Sequence, residues 1–271
     1  MTDHPLEPGA VTVLMSVYRN TTADELKHAL DSINAQTRPA ERVLVVKDGP
    51  VEGDVDKLLR DVDTVTLAQN SGLGIALHEG LKHVTTEFVA RLDSDDAAFP
   101  QRLEQQLAFM ADHPDVAALG TAVQEFDGDT LGGIRRLPET HDGIARYVKI
   151  NSPLNHPSVL MRTADVRAVG GYQPMHNMED YDLWARLIAA GKKLYNLHEP
   201  LTYFRVNDAQ LARRTTKETR RAEWEMQRAL VRYGLISWPR AGVNFLVRNL
   251  YRALPVSTMR RVYSQLFHRA D

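Results

Sequence analysis

Apolar runs alternate with helical patterns along the first half of the chain, and this alternation restricts the fold more than any other feature of the sequence. Four runs are apolar and β-branched at nearly every position, as in strands that are covered on both faces. They span residues 11–17, 42–46, 64–67 and 88–92. Apolar residues at helical spacing lie between them, so the sequence predicts an α/β fold with a mostly parallel central sheet flanked by helices.

Polar residues follow three of these predicted strands, at the edge where parallel sheets bind their ligands. Tyr18 follows the first strand, Asp48 the second, and a cluster of Asp93, Asp95 and Asp96 the fourth. Neighbouring carboxylates repel one another, so a fold that gathers them usually supplies a cation. Hard oxygen ligands suit Mg²⁺ or Mn²⁺. The alternative for the cluster considered alone is a solvated acidic turn.

A second group of polar residues lies farther along the chain. His156 stands in a proline-punctuated loop that leads into a predicted strand over residues 158–161. Glu179 and Asp180 open a predicted helix that ends at Gly191. The helix dipole favours acids at this position whether or not they do chemistry, so simple capping is the alternative for both carboxylates.

Composition excludes several classes of protein. The 271 residues are 43% hydrophobic and 25% charged, which is ordinary for a globular chain with one core and an appendage. The absence of cysteine excludes a disulfide framework, a thiolate zinc site and a cysteine nucleophile. Residues 1–8 lack the pattern of a signal peptide, and no apolar stretch approaches the roughly 18 residues of a membrane span. We therefore expect a cytoplasmic protein.

Charge is distributed unevenly along the chain. Residues 209–271 carry 13 Lys or Arg and 4 Asp or Glu, whereas residues 1–208 carry 20 and 31. From Trp238 onward, aromatic and aliphatic residues alternate with arginines, which favours helices lying in the headgroup plane of an anionic membrane. One alternative is a C-terminal helix packed on the main domain with solvated arginines. Nucleic-acid binding is disfavoured because the aromatics keep helical core spacing and no nucleic-acid motif is present.

With these landmarks placed, the chain resembles the family 2 glycosyltransferases, which have the GT-A (nucleotide-diphospho-sugar transferase) fold, and in particular those that build bacterial surface polysaccharides. The likeness runs from about residue 11 to residue 207. It rests on eight short motifs. Each motif alone is weak evidence for the family, but the full set in its order along the chain is specific. They are Ser16-Val17-Tyr18, Lys47-Asp48-Gly49, Asn70-Ser71-Gly72-Leu73-Gly74, Arg91-Leu92-Asp93-Ser94-Asp95-Asp96, Asn155-His156-Pro157, Gly170-Gly171-Tyr172, Glu179-Asp180-Tyr181-Asp182-Leu183-Trp184 and Tyr203-Phe204-Arg205.

The resemblance implies an inverting glycosyltransferase that uses Mn²⁺ or Mg²⁺ and moves one sugar from a nucleotide-diphospho-sugar to a glycan or lipid-linked saccharide. A UDP-sugar is the favoured donor. The Gln-X-X-Arg-Trp signature of processive members is absent, so we expect one transfer per encounter. The enzyme would work in the cytoplasm or on the inner face of the cell membrane.

The resemblance also implies an arrangement of domains. The catalytic domain would span residues 1–208, with a nucleotide-binding half over about 10–123 and an acceptor-side half over about 124–208. The basic helical extension would span residues 209–271.

The resemblance carries over to individual residues. The donor side would comprise Ser16, Tyr18, Asp48, Asn70, Gly74, Arg91, Asp93, Asp95 and Arg205. The acceptor side would comprise His156, Glu179 and Trp184.

Five of these residues and one further aspartate have defined expected roles. Tyr18 and Asp48 would border the nucleobase, with Asp48 accepting a hydrogen bond from a pyrimidine ring nitrogen. Asp95 would ligate the metal, and Asp93 would face the ribose or the outer shell of the metal. Arg205 would approach the diphosphate. Asp180 would be the catalytic base.

Three rival functions remain to be separated from this one. A sugar-1-phosphate nucleotidyltransferase would need a glycine-rich basic loop after the first strand, and the segment after Tyr18 is not one. An aspartate-dependent phosphohydrolase would place its acids after the first strand rather than the fourth. A non-catalytic relative could bind a nucleotide sugar or scaffold a polysaccharide assembly complex, although the presence of the acidic cluster and Asp180 argues against decay.

Overall fold

A computed structural model describes residues 5–51, 53–206 and 217–252 of the chain. The strands of this part of the chain form a single sheet in the order β3-β2-β1-β4-β8-β6-β9-β5, with β7 paired to β6. The strands are β1 Glu7–Val17, β2 Arg42–Lys47, β3 Asp63–Thr66, β4 Thr86–Arg91, β5 Ala97–Ala98, β6 Val116–Asp127, β7 Thr130–Arg135, β8 Leu160–Arg162 and β9 Lys193–Arg205.

Helices cover both faces of this sheet. They are α1 Ala23–Asn34, α2 Asp54–Leu58, α3 Leu73–Lys82, α4 Arg102–Asp112, α5 His141–Tyr147, α6 Thr163–Ala168, α7 Glu179–Ala189, α8 Lys217–Arg232 and α9 Trp238–Arg252. Apolar side chains of α1, α2 and α4 pack on one face. Those of α3, α5, α6 and α7 pack on the other. Both faces of the central strands are therefore covered and shielded from solvent, as the continuous apolar runs in the sequence predict.

The mostly parallel, helix-flanked sheet is confirmed, and its parallel core contains the four strands recognised first in the sequence. β3, β2, β1 and β4 run parallel, and Leu14 of β1 lies in register with Leu44 on one side and Arg91 on the other. Since all four strands point the same way, the residues that follow β1, β2 and β4 lie along the same edge of the sheet. The predicted clustering of polar residues at that edge depends on this topology.

The second half of the sheet combines a predicted strand with one that the sequence did not reveal. β8, which overlaps the strand predicted over residues 158–161, runs antiparallel between β4 and β6, and the unpredicted β9 runs parallel to β6 over most of its length. The pattern of β9 is obscured because His198, Glu199 and Pro200 interrupt its apolar residues. The turn-rich segment after residue 125 is a hairpin between β6 and β7, with Gly128 at φ 56°. β9 matters for the site because it pairs with β5, directly after the acidic cluster.

The C-terminal helices within the described residues pack on the main domain. Met226 and Leu230 of α8 join a buried cluster with Tyr181 and Ala185 of α7. A buried ion pair joins α8 to α9, in which Glu223 of α8 lies 2.8 Å from Nε of Arg248 of α9. The part of the predicted helical extension that follows Arg252 lies outside the described residues. Within the described ranges, no helix combines the length and the apolar character needed to cross a bilayer.

A tight approach between α3 and the sheet gives a test of this packing. A Cβ on Gly80 would lie 2.6 Å from Cδ1 of Leu14 and 2.7 Å from Cγ2 of Val46. We expect Gly80→Ala to lower the free energy of unfolding by about 1–3 kcal/mol because the core cannot accept the extra methyl group. Chemical denaturation measures this directly. Each kcal/mol should also lower the melting temperature by roughly 2–4 °C.

Gly242 provides the matched control, because it also lies within a helix and a Cβ on it would meet no atom within 4 Å. Gly242→Ala should raise the free energy of unfolding by roughly 0.5–1 kcal/mol, since alanine loses less backbone entropy in a helix. Equal changes in the two variants would contradict the close packing at Gly80.

Candidate active site

The acidic cluster forms a compact group of carboxylates at the end of β4. One carboxylate oxygen from each of Asp93, Asp95 and Asp96 lies within 4.8 Å of the others. Asp96 is buried, and its Oδ1 accepts a hydrogen bond of 2.8 Å from the backbone N–H of Arg205. The Nε of Arg205 donates to the backbone carbonyl of Asp95 at 3.0 Å. The end of β9 thus holds the acidic loop in place through both the backbone and the side chain of Arg205.

Two fully buried arginines lie beneath this loop. Arg91 forms an ion pair with Asp93, and although burial disfavours its charge, the Asp93 carboxylate raises the pKa of Arg91 above its ordinary value. Arg102 donates to the backbone carbonyl of Arg91 at 2.7 Å and to Gln106 at 3.0 Å. Burial, with the nearby charge of Arg91, lowers the pKa of Arg102 to about 9. The positive charge under the loop is therefore fixed in position before any ligand binds.

The carboxylates of Asp95 and Asp96 are only partly compensated by these arginines. Burial, together with the charge of Asp93, raises the pKa of Asp95 to about 6. Burial and the same neighbour raise the pKa of Asp96 well above its usual range, and Oδ2 of Asp96 is buried without a hydrogen-bond partner. Three hard oxygen donors with one orphaned buried oxygen fit a Mg²⁺ or Mn²⁺ ion. The predicted ligands Asp93 and Asp95 are in this group, and Asp96 joins them.

A cavity of about 320 Å³ lies between the ends of β1 and β2. Its lining residues are Tyr18, Arg19, Thr21, Pro50, Val51 and Val55. Ser16 is half-buried at the same end of β1 and lies in register with Val46. The structure therefore places Tyr18 on a cavity with an apolar wall, of the kind that can receive a flat ring.

Asp48, two residues before the cavity-lining Pro50, is buried and organises the loop that leads into α3. Its carboxylate accepts hydrogen bonds from the N–H of Ser71 at 2.7 Å, the N–H of Gly72 at 3.0 Å and the Nδ2 of Asn70 at 3.0 Å. A carboxylate offers about four acceptor positions, so three are already used. Asp48 is thus a loop-ordering residue with capacity for about one further donor.

Gly74 lies where the two halves of the site meet. It is buried, and a Cβ at this position would lie 2.7 Å from the carbonyl oxygen of Gln173 and 3.0 Å from Cβ of Glu179. The N-terminus of α3 and the start of α7 can approach this closely only because residue 74 has no side chain.

Asp180 lies half-buried in the first turn of α7. Its Oδ2 accepts a hydrogen bond of 2.9 Å from the hydroxyl of Ser152, and burial raises the pKa of its carboxyl. The neighbouring Glu179 is 6% exposed, and burial together with the charge of Asp180 raises its pKa to about 8. Two adjacent carboxyls in different environments can hold a proton on one and a charge on the other.

His156 completes the acceptor side. Its Nε2 lies 2.9 Å from the hydroxyl of Tyr172, and its ring meets the edge of Trp184 at 6.0 Å between centroids. Burial, with the charge of Arg91, lowers the pKa of His156 well below its usual value, so the imidazole is neutral. Trp184 itself has no exposed surface. The indole therefore supports the ring of His156 from within the core.

Several residues of the site had no individual role predicted from the sequence. Asp96 was predicted only as part of the acidic cluster. Tyr172 belongs to a glycine turn and Ser152 to the loop before His156, and neither pattern indicates what the side chain contacts. Arg102 carried no signal, because a helical arginine after Pro100 is ordinarily exposed. Only the fold shows that it lies against the backbone of β4.

Comparison with known proteins places these features in a family. The model of a family described as "Glycosyl transferase family 2" matches residues 12–168, more than half of the chain. The chain belongs to the family 2 glycosyltransferases.

Curated relatives match almost the whole chain. The amylovoran biosynthesis glycosyltransferase AmsE of Erwinia amylovora is 32% identical over 94% of this chain and 98% of its own length. A UDP-Gal:alpha-D-GlcNAc-diphosphoundecaprenol beta-1,3-galactosyltransferase of Escherichia coli is 32% identical over 95% of this chain and 96% of its own length. The chain is therefore similar over nearly its full extent to glycosyltransferases that include enzymes of bacterial polysaccharide biosynthesis.

A solved structure shares the fold. The mannosyltransferase PcManGT of Pyrobaculum calidifontis, in complex with GDP-Man and Mn²⁺, superposes with a TM-score of 0.62 and 17% identity. The match covers 97% of this chain and 83% of the other. The GT-A fold expected from the sequence motifs is confirmed.

The raised pKa of Glu179 predicts a dependence of stability on pH. The folded protein holds a proton on Glu179 that the unfolded chain releases above its ordinary pKa of 4.5. Stability from this group is therefore fully present below about pH 4.5 and falls as the pH rises towards 8. We expect Glu179→Gln to be more stable than wild type at about pH 8 and to lose less stability between about pH 5 and 8.

Urea unfolding in chelator at several pH values in that window checks this expectation. Glu199→Gln is the matched control, because Glu199 is exposed on β9. Parallel stability curves for wild type and Glu179→Gln would show that Glu179 is ionised in the folded protein.

Proposed function

We propose that this family 2 glycosyltransferase is inverting, non-processive and metal-dependent, and transfers one sugar from a nucleotide-diphospho-sugar to a glycan or lipid-linked saccharide. One observation carries the proposal. The buried charge of Arg91 acts on Asp93 in the acidic cluster and on Asp180 and His156 on the other side of the site. The residues that we propose for the donor side and for the acceptor side are therefore close enough to one buried arginine to be influenced by its charge, and transfer requires the two substrates to be held next to each other.

The acidic cluster is the candidate metal site. Asp95 and Asp93 would hold the ion, together with the unpartnered Oδ2 of Asp96. A bound dication would neutralise the charge that develops on the departing nucleoside diphosphate. Arg205 stands beside the cluster with its guanidinium 4.7 Å from the ring centroid of Phe126, in position to approach the same diphosphate.

Asp180 is the proposed base that takes the proton from the acceptor hydroxyl. Its raised pKa brings it closer to the operating pH, where a general base is most effective, and Ser152 fixes the orientation of one oxygen. A single base opposite the leaving group produces inversion at the anomeric carbon. His156 and Tyr172 would border the acceptor.

The nucleobase would lie in the cavity beside Tyr18. The one acceptor position left on Asp48 fits a ring N–H, which uracil and guanine carry and cytosine does not. UDP is the favoured nucleotide because the E. coli relative is named for UDP-Gal. GDP is the competitor, since the structural neighbour holds GDP-Man.

The extension of residues 209–271 would place the enzyme on the inner face of the cell membrane as a peripheral protein, with residues 1–208 as the catalytic unit. Val243, Leu246, Val247 and Leu250 form one face of α9 and are 56%, 60%, 57% and 60% exposed. We call these four residues the apolar face of α9. Exposed aliphatic side chains at helical spacing near arginines fit an anionic headgroup region.

If Asp180 is the base, replacing it should lower the rate of sugar transfer without a matching loss of nucleotide binding. Asp180→Asn should lower the rate of sugar transfer by about 10²- to 10⁴-fold, because the amide cannot accept the acceptor proton. The shift in melting temperature caused by UDP with Mn²⁺ should remain close to that of wild type. Transfer from a radiolabelled UDP-sugar and thermal denaturation measure the two effects.

Asp142→Asn is the control, since Asp142 is exposed on α5. Equal losses of transfer and nucleotide binding in Asp180→Asn would overturn the assignment of the base. If wild type binds the nucleotide with Mn²⁺ but transfers no sugar from any UDP- or GDP-sugar to lipid-linked acceptors, the non-catalytic scaffold is the correct function.

The membrane assignment has its own test. Leu246→Ser combined with Leu250→Ser should lower partitioning onto phosphatidylglycerol vesicles by roughly tenfold or more, because two exposed apolar side chains no longer enter the lipid. Leu131→Ser removes another exposed leucine, 65% accessible on the β6–β7 hairpin, and should have no effect. Undiminished binding of the double variant in vesicle sedimentation would favour an extension that only packs on the domain.

A further inference from the structure

A basic cavity lies between α5 and the C-terminal helices, away from the acidic cluster. Arg146, Lys149 and Arg240 supply its charge, and Leu235 and Ile236 supply apolar surface. Its volume is about 280 Å³. We propose that this cavity binds the diphosphate that joins the acceptor sugar to its lipid, with the lipid chain leaving along the apolar face of α9. The inference rests on the proposed function and specifies where a lipid-linked acceptor is held.

The three cations have no acidic partner within the part of the chain that the structure describes. This distinguishes them from many basic side chains on the rest of the surface, which pair with a carboxylate. Examples of such pairs are Lys27–Asp31, Arg42–Asp63, Lys82–Glu79, Lys192–Asp165 and Lys193–Asp115. Three neighbouring cations that repel one another without an acid between them are complementary to a multiply charged anion.

The cavity is held in place by buried hydrogen bonds. Asn244 of α9 is 6% exposed, and its Nδ2 donates to the carbonyl of Lys149 at 2.8 Å. The Oδ1 of the same residue accepts from Nε of Arg240 at 3.1 Å. Arg248 Nη1 donates to the carbonyl of Ile150 at 2.8 Å. One buried amide therefore fixes a cation of α9 next to a cation of the loop after α5, so little reorganisation is needed to bind an anion.

The position of the cavity matches the position of the proposed base. Lys149 is followed after three residues by Ser152, whose hydroxyl holds Asp180. Three residues of chain span at most about 11 Å. The segment that carries Lys149 on the cavity therefore also carries the hydroxyl that orients the proposed base, which places the cavity on the acceptor side of the proposed site.

Size and surroundings agree with this occupant. A cavity of about 280 Å³ has room for roughly nine waters at about 30 Å³ each, which is more than enough space for a diphosphate group. Beyond Arg240 the chain continues directly into the apolar face of α9. Charge for a diphosphate therefore adjoins apolar surface for a hydrocarbon chain, which is the pattern of a lipid diphosphate.

Calorimetric titration of the full chain with farnesyl diphosphate tests the proposal. The titration is done in chelator, so that the metal-dependent donor site does not hold the probe. The cavity variant combines Arg146→Gln, Lys149→Gln and Arg240→Gln, three changes at exposed positions that leave the core intact. We expect it to bind at least roughly tenfold more weakly than wild type, because charge-assisted hydrogen bonds to the diphosphate are lost.

The charge-matched control combines Arg220→Gln, Arg221→Gln and Arg228→Gln, which removes the same charge from exposed positions of α8. It should bind like wild type. Equal weakening in the two triple variants would show a general effect of net charge and would overturn the proposal. Wild-type affinity in the cavity variant would overturn it as well.

Two further probes separate a lipid diphosphate from a free anion. Inorganic pyrophosphate should bind wild type more weakly than farnesyl diphosphate, and Leu246→Ser with Leu250→Ser should weaken only the lipid probe. Equal affinity for both probes would make the cavity a site for free anions and would exclude the lipid.

The change in melting temperature caused by UDP with Mn²⁺ is also measured on the cavity variant. This change reports on the donor site, so failure of the proposed function can be told apart from failure of the acceptor-site proposal. A wild type that shows no shift with any nucleotide contradicts the glycosyltransferase mechanism. An unchanged shift in the cavity variant with lost binding of farnesyl diphosphate supports the separate acceptor site.

Discussion

The balance of charge around the loop after β4 is the constraint on which the rest of the site depends. Carboxylate oxygens of Asp93, Asp95 and Asp96 are gathered within 4.8 Å of one another, and burial makes their mutual repulsion severe. Arg91 and Arg102 supply buried positive charge beneath them. The pKa values of Asp95 and Asp96 remain raised beside these arginines, as expected for carboxylates that are buried next to one another. A divalent ion bound there, as we propose, would offset the remaining negative charge.

The topology of the sheet brings distant parts of the chain to this loop. β9 reaches the cluster through its pairing with β5, which places the backbone N–H of Arg205 against Asp96. The start of α7 reaches it from the other side, where the missing side chain of Gly74 allows α3 and α7 to meet. An insertion in β9 or a side chain at position 74 would therefore disturb the site without touching a proposed ligand.

The sequence predicted the parallel half of the fold well because strands buried on both faces leave continuous apolar runs. It failed for β9, where His198, Glu199 and Pro200 interrupt the pattern in a strand that is partly exposed. Function was anticipated mainly from ordered motifs, which reflect family membership. Single motifs did not show that Trp184 is fully buried or that three donors already occupy Asp48. Such properties arise from packing, which residue types alone do not determine.

The C-terminal helices show a further limit of sequence analysis. The count of charges distinguished this segment from the rest of the chain, but it could not separate arginines that support the fold from those that face outward. Arg248 pairs with buried Glu223, whereas Arg240 lines the basic cavity. The same helix therefore anchors itself on the domain through one side and presents charge and apolar surface through another.

The most direct measurement of the central claim is an anomalous difference map at the manganese edge from crystals grown with UDP and Mn²⁺. The account predicts one strong peak at coordination distance from carboxylate oxygens of the Asp93, Asp95 and Asp96 cluster and from the diphosphate of UDP. Bound UDP without a peak at the cluster, or with manganese held elsewhere, would contradict the assignment of these aspartates as the metal site.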